Sequence, residues 1–371
     1  MNCLRVLVMR KTFSLAPLLM LVACANIIDE QPIPEAINIG ENERIFVATN
    51  RSVGADGQFT IGRAGTLQYL DLSISVPPDR AVGKVPTGGE RANPQKDFVI
   101  AERRSISSQS SFIADLKKGL RSQPSQEREL TVFVHGYNNG FSEAVFRAAQ
   151  LKHDLEVEGE FLTFAWPSRG SAFGYEYDKD SVLAARTELQ NLLMTLSESG
   201  IGRFNLVGHS MGGFLTMETL RQIDLQHQGW SARSLANLIL ISPDIDVDVF
   251  RNQVSHLKPA PQPFIIFVSS QDIALRLSAR ITGQPARLGN ISNASDISDL
   301  PVLVIDVTAF SDDSDTSHFV VGSSPSLIAI LDGARKLDSG FMAGDSGMTD
   351  FLPVSLNSTG SFSQITLQPG R

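Results

Sequence analysis

The chain has 371 residues, 42% hydrophobic and 19% charged, which is enough apolar material for one large or two small folded domains and too much for a disordered chain. Its formal net charge of −8 is spread along the sequence, which argues against nucleic acid as the main partner. Two cysteines and scattered histidines form no cysteine-based zinc pattern.

Arg5, Arg10 and Lys11 give a basic start, and residues 13–23 form an apolar stretch too short to span a bilayer. That stretch ends Leu21-Val22-Ala23-Cys24, which resembles a bacterial lipobox, where small residues precede a cysteine that becomes acylated. Residues 1–23 are therefore expected to be a signal peptide, with Met9 as a candidate start. Cys24 would then be the lipidated first residue of the mature chain, bearing a palmitate-type anchor. Cleavage there removes Cys3 and leaves no free thiol and no disulfide, which suits an oxidising envelope. Ala25 after Cys24, where Asp would signal retention, resembles the sorting signal for a Gram-negative outer membrane, facing the periplasm. Residues 24–43, polar with Pro32 and Pro34, read as a tether.

Residues 44–50 (RIFVATN) and 67–76 (LQYLDLSISV) have strand character, the second with clear alternation. Proline and glycine mark 77–95 as irregular, and a short strand at 98–100 and a short helix at 112–120 follow. From 130 onward strands and helices alternate. Strands are expected at 130–134 (LTVFV), 161–165 (FLTFA), 204–207, 238–241 (LILI), 264–268 (FIIFV) and 302–307 (VLVIDV). Helices are expected at 141–155, 181–197, from 214 and at 325–336. Continuous apolar strands between helices predict an α/β domain over 44–336, with a mostly parallel sheet covered on both faces. Residues 243–263 leave too little chain for a large cap domain, so an open site is expected. Residues 337–371, rich in Gly and Ser and without periodicity, read as a poorly ordered tail or an arm lying on the domain.

The stretch FNLVGHSMGG (204–213) places G-x-S-x-G between a strand and a helix. The reversal is so sharp that Gly208 and Gly212 are needed where side chains would collide, and Ser210 is pushed out as a nucleophile. A serine needs a base that is itself oriented, in the order Ser, acid, His on such a sheet. His135 and His209 lie inside motifs, His153 on the polar side of a helix, and His227 and His256 in polar connections. His318, after the last strand, is the expected base. For the acid, Asp272 after FIIFV is preferred over Asp244 and Asp246 after LILI, although Asp272 also reads as a helix N-cap. Asp312, Asp313 and Asp315 read as a solvated run. Oxyanion donors are expected at the backbone amides of Met211 and Tyr137, with His135 bracing the loop HGYNN. Trp166 and Tyr175 are candidates for a pocket wall or for packing at strand ends.

The segments HGYNNGF, FAWPSRGSAFGYEYD, GHSMGG, LISPDIDVDVF, SSQDIALRLS and the late SHF together resemble an alpha/beta-hydrolase family of unknown function often found as bacterial lipoproteins. The resemblance runs from about residue 44 to 336 and implies an alpha/beta-hydrolase fold with Ser210, Asp272 and His318 as triad, but no substrate. The expectation is a serine hydrolase, carboxylesterase- or lipase-like, acting on an ester, thioester or amide of a small or lipid-like acyl substrate. It would need no metal or organic cofactor and would be anchored to the membrane through Cys24. An acyltransferase with the same triad, or a non-catalytic envelope scaffold, are the alternatives.

Overall fold

The computed structural model describes residues 30–88, 92–171, 173–283, 287–292, 294–313, 318–337, 354–359 and 362–368. The expected signal peptide, Cys3 and Cys24 lie outside them. Among the described residues, eleven strands join into one sheet. In chain order they are β1 (Glu41–Val53), β2 (Phe59–Val76), β3 (Val99–Ile106), β4 (Leu130–Val134), β5 (Glu160–Phe164) and β6 (Phe204–His209). Then come β7 (Leu235–Ile241), β8 (Phe264–Val268), β9 (Leu303–Asp306), β10 (Val354–Thr359) and β11 (Phe362–Leu367). The spatial order is β10-β11-β9-β8-β7-β6-β4-β5-β1-β2-β3, so β6 sits at the centre. Pairing is parallel from β11 through β1. Only β10, β2 and β3, at the two ends, run antiparallel to their neighbours.

The helices are α1 (Gln109–Ser122), α2 (Phe141–Asp154), α3 (Tyr175–Glu198), α4 (Met211–Gln226), α5 (Trp230–Ser234), α6 (Val247–His256), α7 (Ile273–Thr282), α8 (Val320–Ser323) and α9 (Pro325–Leu337). Because side chains alternate along a strand, each apolar strand feeds two cores. Phe264, Ile266 and Val268 of β8 pack with α1, α3, α4 and α6, whereas Ile265 and Phe267 pack with α2, α8 and α9. Continuous apolar strands are thus the mark of burial on both faces.

Three expectations change. β2 begins at Phe59, not at 67, because Asp56-Gly57 makes a tight turn (Gly57 φ 81°) that returns β1 as a long hairpin. The polar stretch read as a tether is fixed to the sheet from Glu30 onward. Glu30 accepts from the Phe59 amide at 3.0 Å and pairs with Arg103 at 3.3 Å, and Ala36 is buried beside Val99 and Ala101. The stretch read as a poorly ordered tail or an arm on the domain contributes β10 and β11, with Ile365 and Leu367 buried where β11 extends the sheet beside β9, so the arm becomes part of the sheet itself. His153, on the polar side of α2, lies 3.2 Å from the Glu43 carboxylate, and that hydrogen bond raises its pKa.

Buried polar groups brace the loops at the carboxyl edge of the sheet. His135, 1% exposed, stacks on Trp166 with ring centroids 5.0 Å apart, and the Trp166 indole N–H donates to the His135 carbonyl at 2.7 Å. Arg51 is 1% exposed and donates to the carbonyls of Asn139 at 2.9 Å and Ser168 at 3.1 Å. Burial lowers the Arg51 pKa to about 10. Burial, with Arg51 nearby, lowers that of His135 to about 3. A histidine held neutral in the fold but protonated when unfolded contributes stability above pH about 6.5, and that contribution falls as pH drops towards 3. Replacing His135 with Gln should therefore flatten the loss of stability in acid by about 1.4 kcal/mol per pH unit between about pH 6 and 4. Urea midpoints of both proteins across that range provide the check, and parallel curves would show that His135 does not titrate in this way.

Candidate active site

β6 delivers the chain to the centre of the carboxyl edge, and α4 leaves at once. Between them Ser210 takes φ 53° and ψ −123°, a conformation costing about 1–3 kcal/mol for a residue with a side chain. Backbone hydrogen bonds hold it there: Ser210 N–H donates to Ile241 at 2.9 Å, and its carbonyl accepts from Gly213 at 2.9 Å and Asp244 at 3.2 Å. A Cβ on Gly212 would lie 2.2 Å from the His135 carbonyl oxygen, so only glycine lets α4 start so close to the loop after β4. On the other side of Ser210, a Cβ on Gly136 would lie 2.9 Å from Ser210 Cβ and 2.7 Å from His209 Nδ1. The HGYNN loop therefore rests directly against Ser210.

His318 comes from the segment before α8, 108 residues after Ser210. Its Nε2 is 2.7 Å from Ser210 Oγ and its Nδ1 is 2.8 Å from Asp272 Oδ2. Asp272 is fully buried and, as a carboxylate, only accepts, so Nδ1 carries the proton and Nε2 presents its lone pair to the Ser210 hydroxyl. The N-cap reading of Asp272 and its contact with histidine hold together, because each oxygen does one of the two. Oδ1 accepts from the Leu275 amide at 2.9 Å, capping α7, while Oδ2 faces His318.

The competing acids are occupied elsewhere. Asp244 is held by the Tyr175 hydroxyl at 2.9 Å, by Ser278 at 2.8 and 3.0 Å, and by Arg287 at 3.1 Å. Burial and the Asp244 charge together raise the Tyr175 pKa. Asp246 caps α6, accepting from Asp248 at 3.0 Å and Val249 at 3.1 Å. Asp312 is exposed, and Asp315 lies outside the described residues. Trp166 is buried behind His135 and the Tyr175 hydroxyl is buried on Asp244, so packing accounts for both.

His209 is buried between the rings of His318 (5.0 Å) and Phe319 (4.3 Å), and its Nε2 lies 3.3 Å from the His318 carbonyl. Burial, then the neighbouring His318, keeps its pKa well below the usual value, so Nε2–H donates to that carbonyl from a neutral ring. It thereby fixes the backbone that carries His318. This role could not be read from a histidine adjacent to serine in sequence.

Met211 opens α4, where first-turn amides have no acceptor within the helix. The Tyr137 amide shares a planar trans peptide with the Gly136 carbonyl and so points opposite to it. That carbonyl faces His135 Nδ1 at 2.9 Å and accepts from Asn139 Nδ2 at 3.2 Å. His135 and Asn139 thus set the direction of the Tyr137 amide. Behind the loop, Asp178 of α3 accepts from Ser168 Oγ at 2.6 Å, Arg169 N at 2.6 Å and Asn138 N at 3.4 Å. Its burial still raises its pKa. Sequence reading singled out neither Arg51 nor Asp178, although the WPSRG and YEYD stretches that contain or contact them were among its motifs.

Among the described residues, no cluster of three or more His, Cys, Asp or Glu could hold a metal ion. No curated protein matches the chain significantly. Among solved structures, a variant of the AtxE2 isopeptidase with Astexin3-dC4 bound aligns with 86% of this chain and 42% of its own. This chain therefore spans less than half of that structure's length. Identity is 11% and the TM-score 0.29, a likeness too slight to argue from. The family model described as alpha/beta hydrolase of unknown function (DUF900) matches residues 107–335, more than half of the chain and the whole of the Ser210 neighbourhood. The chain belongs to that alpha/beta-hydrolase family.

Proposed function

We propose that the protein is a serine hydrolase of carboxylic esters, with thioesters or amides as further substrates, anchored to the cell envelope by acylation of Cys24. The observation that carries this reading is the single histidine, His318, that touches both Ser210 Oγ and the buried Asp272 carboxylate. Ser210 Oγ attacks the carbonyl carbon as its proton passes to His318 Nε2, and Asp272 stabilises the imidazolium that forms. Charge gathers on the former carbonyl oxygen, where the amides of Met211 and Tyr137 are the donors. The bond to the leaving group breaks as His318 returns the proton to it, leaving Ser210 acylated. Water, deprotonated by His318, then attacks the acyl-enzyme and releases the acid.

Labelling of the full chain by a fluorophosphonate probe tests the site. The wild type should label at Ser210 and Ser210→Ala should not. Asp272→Asn should slow labelling by about 10³–10⁴-fold at nearly unchanged stability, since Asn also caps a helix. Asp244→Asn should do the reverse, lowering stability while labelling persists. Labelling of Ser210→Ala at another residue would sink the nucleophile assignment.

The anchor is checked separately. Growth with an alkynyl palmitate analogue should tag the wild-type protein and leave Cys24→Ser untagged. Tagging that survives this substitution would rule out Cys24 as the acylated residue.

A further inference from the structure

The carboxyl edge that holds Ser210 also carries large apolar side chains facing solvent. On the outer face of α7, Ile273, Leu277 and Ile281 recur every fourth residue and are 67, 56 and 54% exposed. Exposed Arg276 and Arg280 interleave with them, and the helix contains no acidic residue. The inner face is fixed, with Ser278 bonded to Asp244 and lying 2.7 Å from the Tyr175 hydroxyl. Two residues before Tyr175, Phe173 is 99% exposed. Tyr177 in turn donates to the Ile61 carbonyl at 2.6 Å, joining this rim to the β1–β2 hairpin. Parallel pairing of β1 with β5 ends at Ala48 opposite Phe164, so the hairpin tip projects beyond the edge with Val53 and Ile61 exposed. Single exposed apolar residues are ordinary, but an apolar stripe of three on one helix face, with Phe173, Val53 and Ile61 exposed on elements tied to that helix's inner side, is not.

The first described residue, Glu30, lies on the same side. Glu30 is bonded to Phe59, which pairs with Val53 beside the turn of that hairpin. Cys24 is six residues earlier, within about 20 Å at full extension. An acyl anchor there would draw this edge, and not the opposite one, towards the bilayer.

We propose that the rim formed by α7, Phe173 and the β1–β2 hairpin tip is a docking surface for an anionic lipid bilayer. It sits at the headgroup–acyl boundary and presents the Ser210 opening to acyl substrates in the membrane. A chain of net charge −8 is repelled by an anionic surface as a whole, so an acid-free helix with two exposed arginines, Arg276 held by the Gln271 carbonyl at 2.9 Å, selects which side approaches. The proposal deepens the reading of an acylated envelope hydrolase and rests on it for the membrane, but docking itself requires neither turnover nor the acyl chain.

The test is flotation of the full chain carrying Cys24→Ser with vesicles of phosphatidylcholine, with or without phosphatidylglycerol. The protein should float with the anionic vesicles and less with neutral ones. Ile273→Ser/Leu277→Ser/Ile281→Ser should lower the partition coefficient about a hundredfold. Arg276→Gln/Arg280→Gln should lower it about fivefold per arginine, on anionic vesicles only. Unchanged far-ultraviolet circular dichroism and urea midpoints of the variants show that they are folded. No flotation, equal flotation of the triple variant, or a solution dimer that the triple substitution dissolves would each overturn the proposal. The last would assign the stripe to a second copy of the chain. Flotation of a protein whose Ser210 fails to label would support the docking surface while sinking the hydrolase reading.

Discussion

The buried carboxylate of Asp272 is the constraint on which the rest of the site depends. Its two oxygens divide their work: one closes the first turn of α7 and the other holds the proton-bearing nitrogen of His318. A carboxylate buried to this degree is costly unless charge-assisted hydrogen bonds surround it. Satisfying it therefore ties α7, the end of β8 and the segment before α8 into one arrangement. The imidazole's Nε2 then faces Ser210 Oγ at 2.7 Å. On the other side, the strained φ of Ser210 is maintained by backbone bonds from β7 and α4 rather than by any side chain.

Much of this was legible in sequence because it is local. LTVFV and FIIFV are strands at the expected residues, and the alternation that makes them two-sided places β4 and β8 inside the sheet. G-x-S-x-G fixes its own geometry, since the clash at Gly212 is with a neighbouring strand's exit and has no alternative resolution. What was not legible is what depends on distant pairing. Asp244 and Asp272 follow equivalent strands, and only the Tyr175–Ser278–Arg287 cluster, assembled from three separate segments, takes Asp244 out of reach. Arg51 is invisible as a brace because its acceptors lie about 90 and 120 residues away and are backbone carbonyls. β10 and β11 escaped notice because a strand added at a sheet edge needs little apolar content of its own.

The carboxyl edge also gathers features with no sequence proximity: the nucleophile elbow, the loop after β4, the inward-tied α7 and the projecting β1–β2 hairpin. Two layers of bonding hold that edge. Next to Ser210, His135 and Asn139 hold the Gly136 carbonyl and His209 holds the His318 carbonyl. Behind them Arg51 and Asp178 hold the loops to one another. The result is a preorganised edge, with α7 tied to it through Asp272 and Ser278.

The central claim is that Ser210 becomes covalently acylated through His318. Rapid mixing with a nitrophenyl ester, acid quench and peptide mass analysis tests it most directly. A burst of about one equivalent of nitrophenol per protein is expected. The acyl group should be found on the peptide bearing Ser210 in the wild type and be absent from His318→Ala. An acyl group on any other residue, or unchanged turnover in Ser210→Ala, would contradict it.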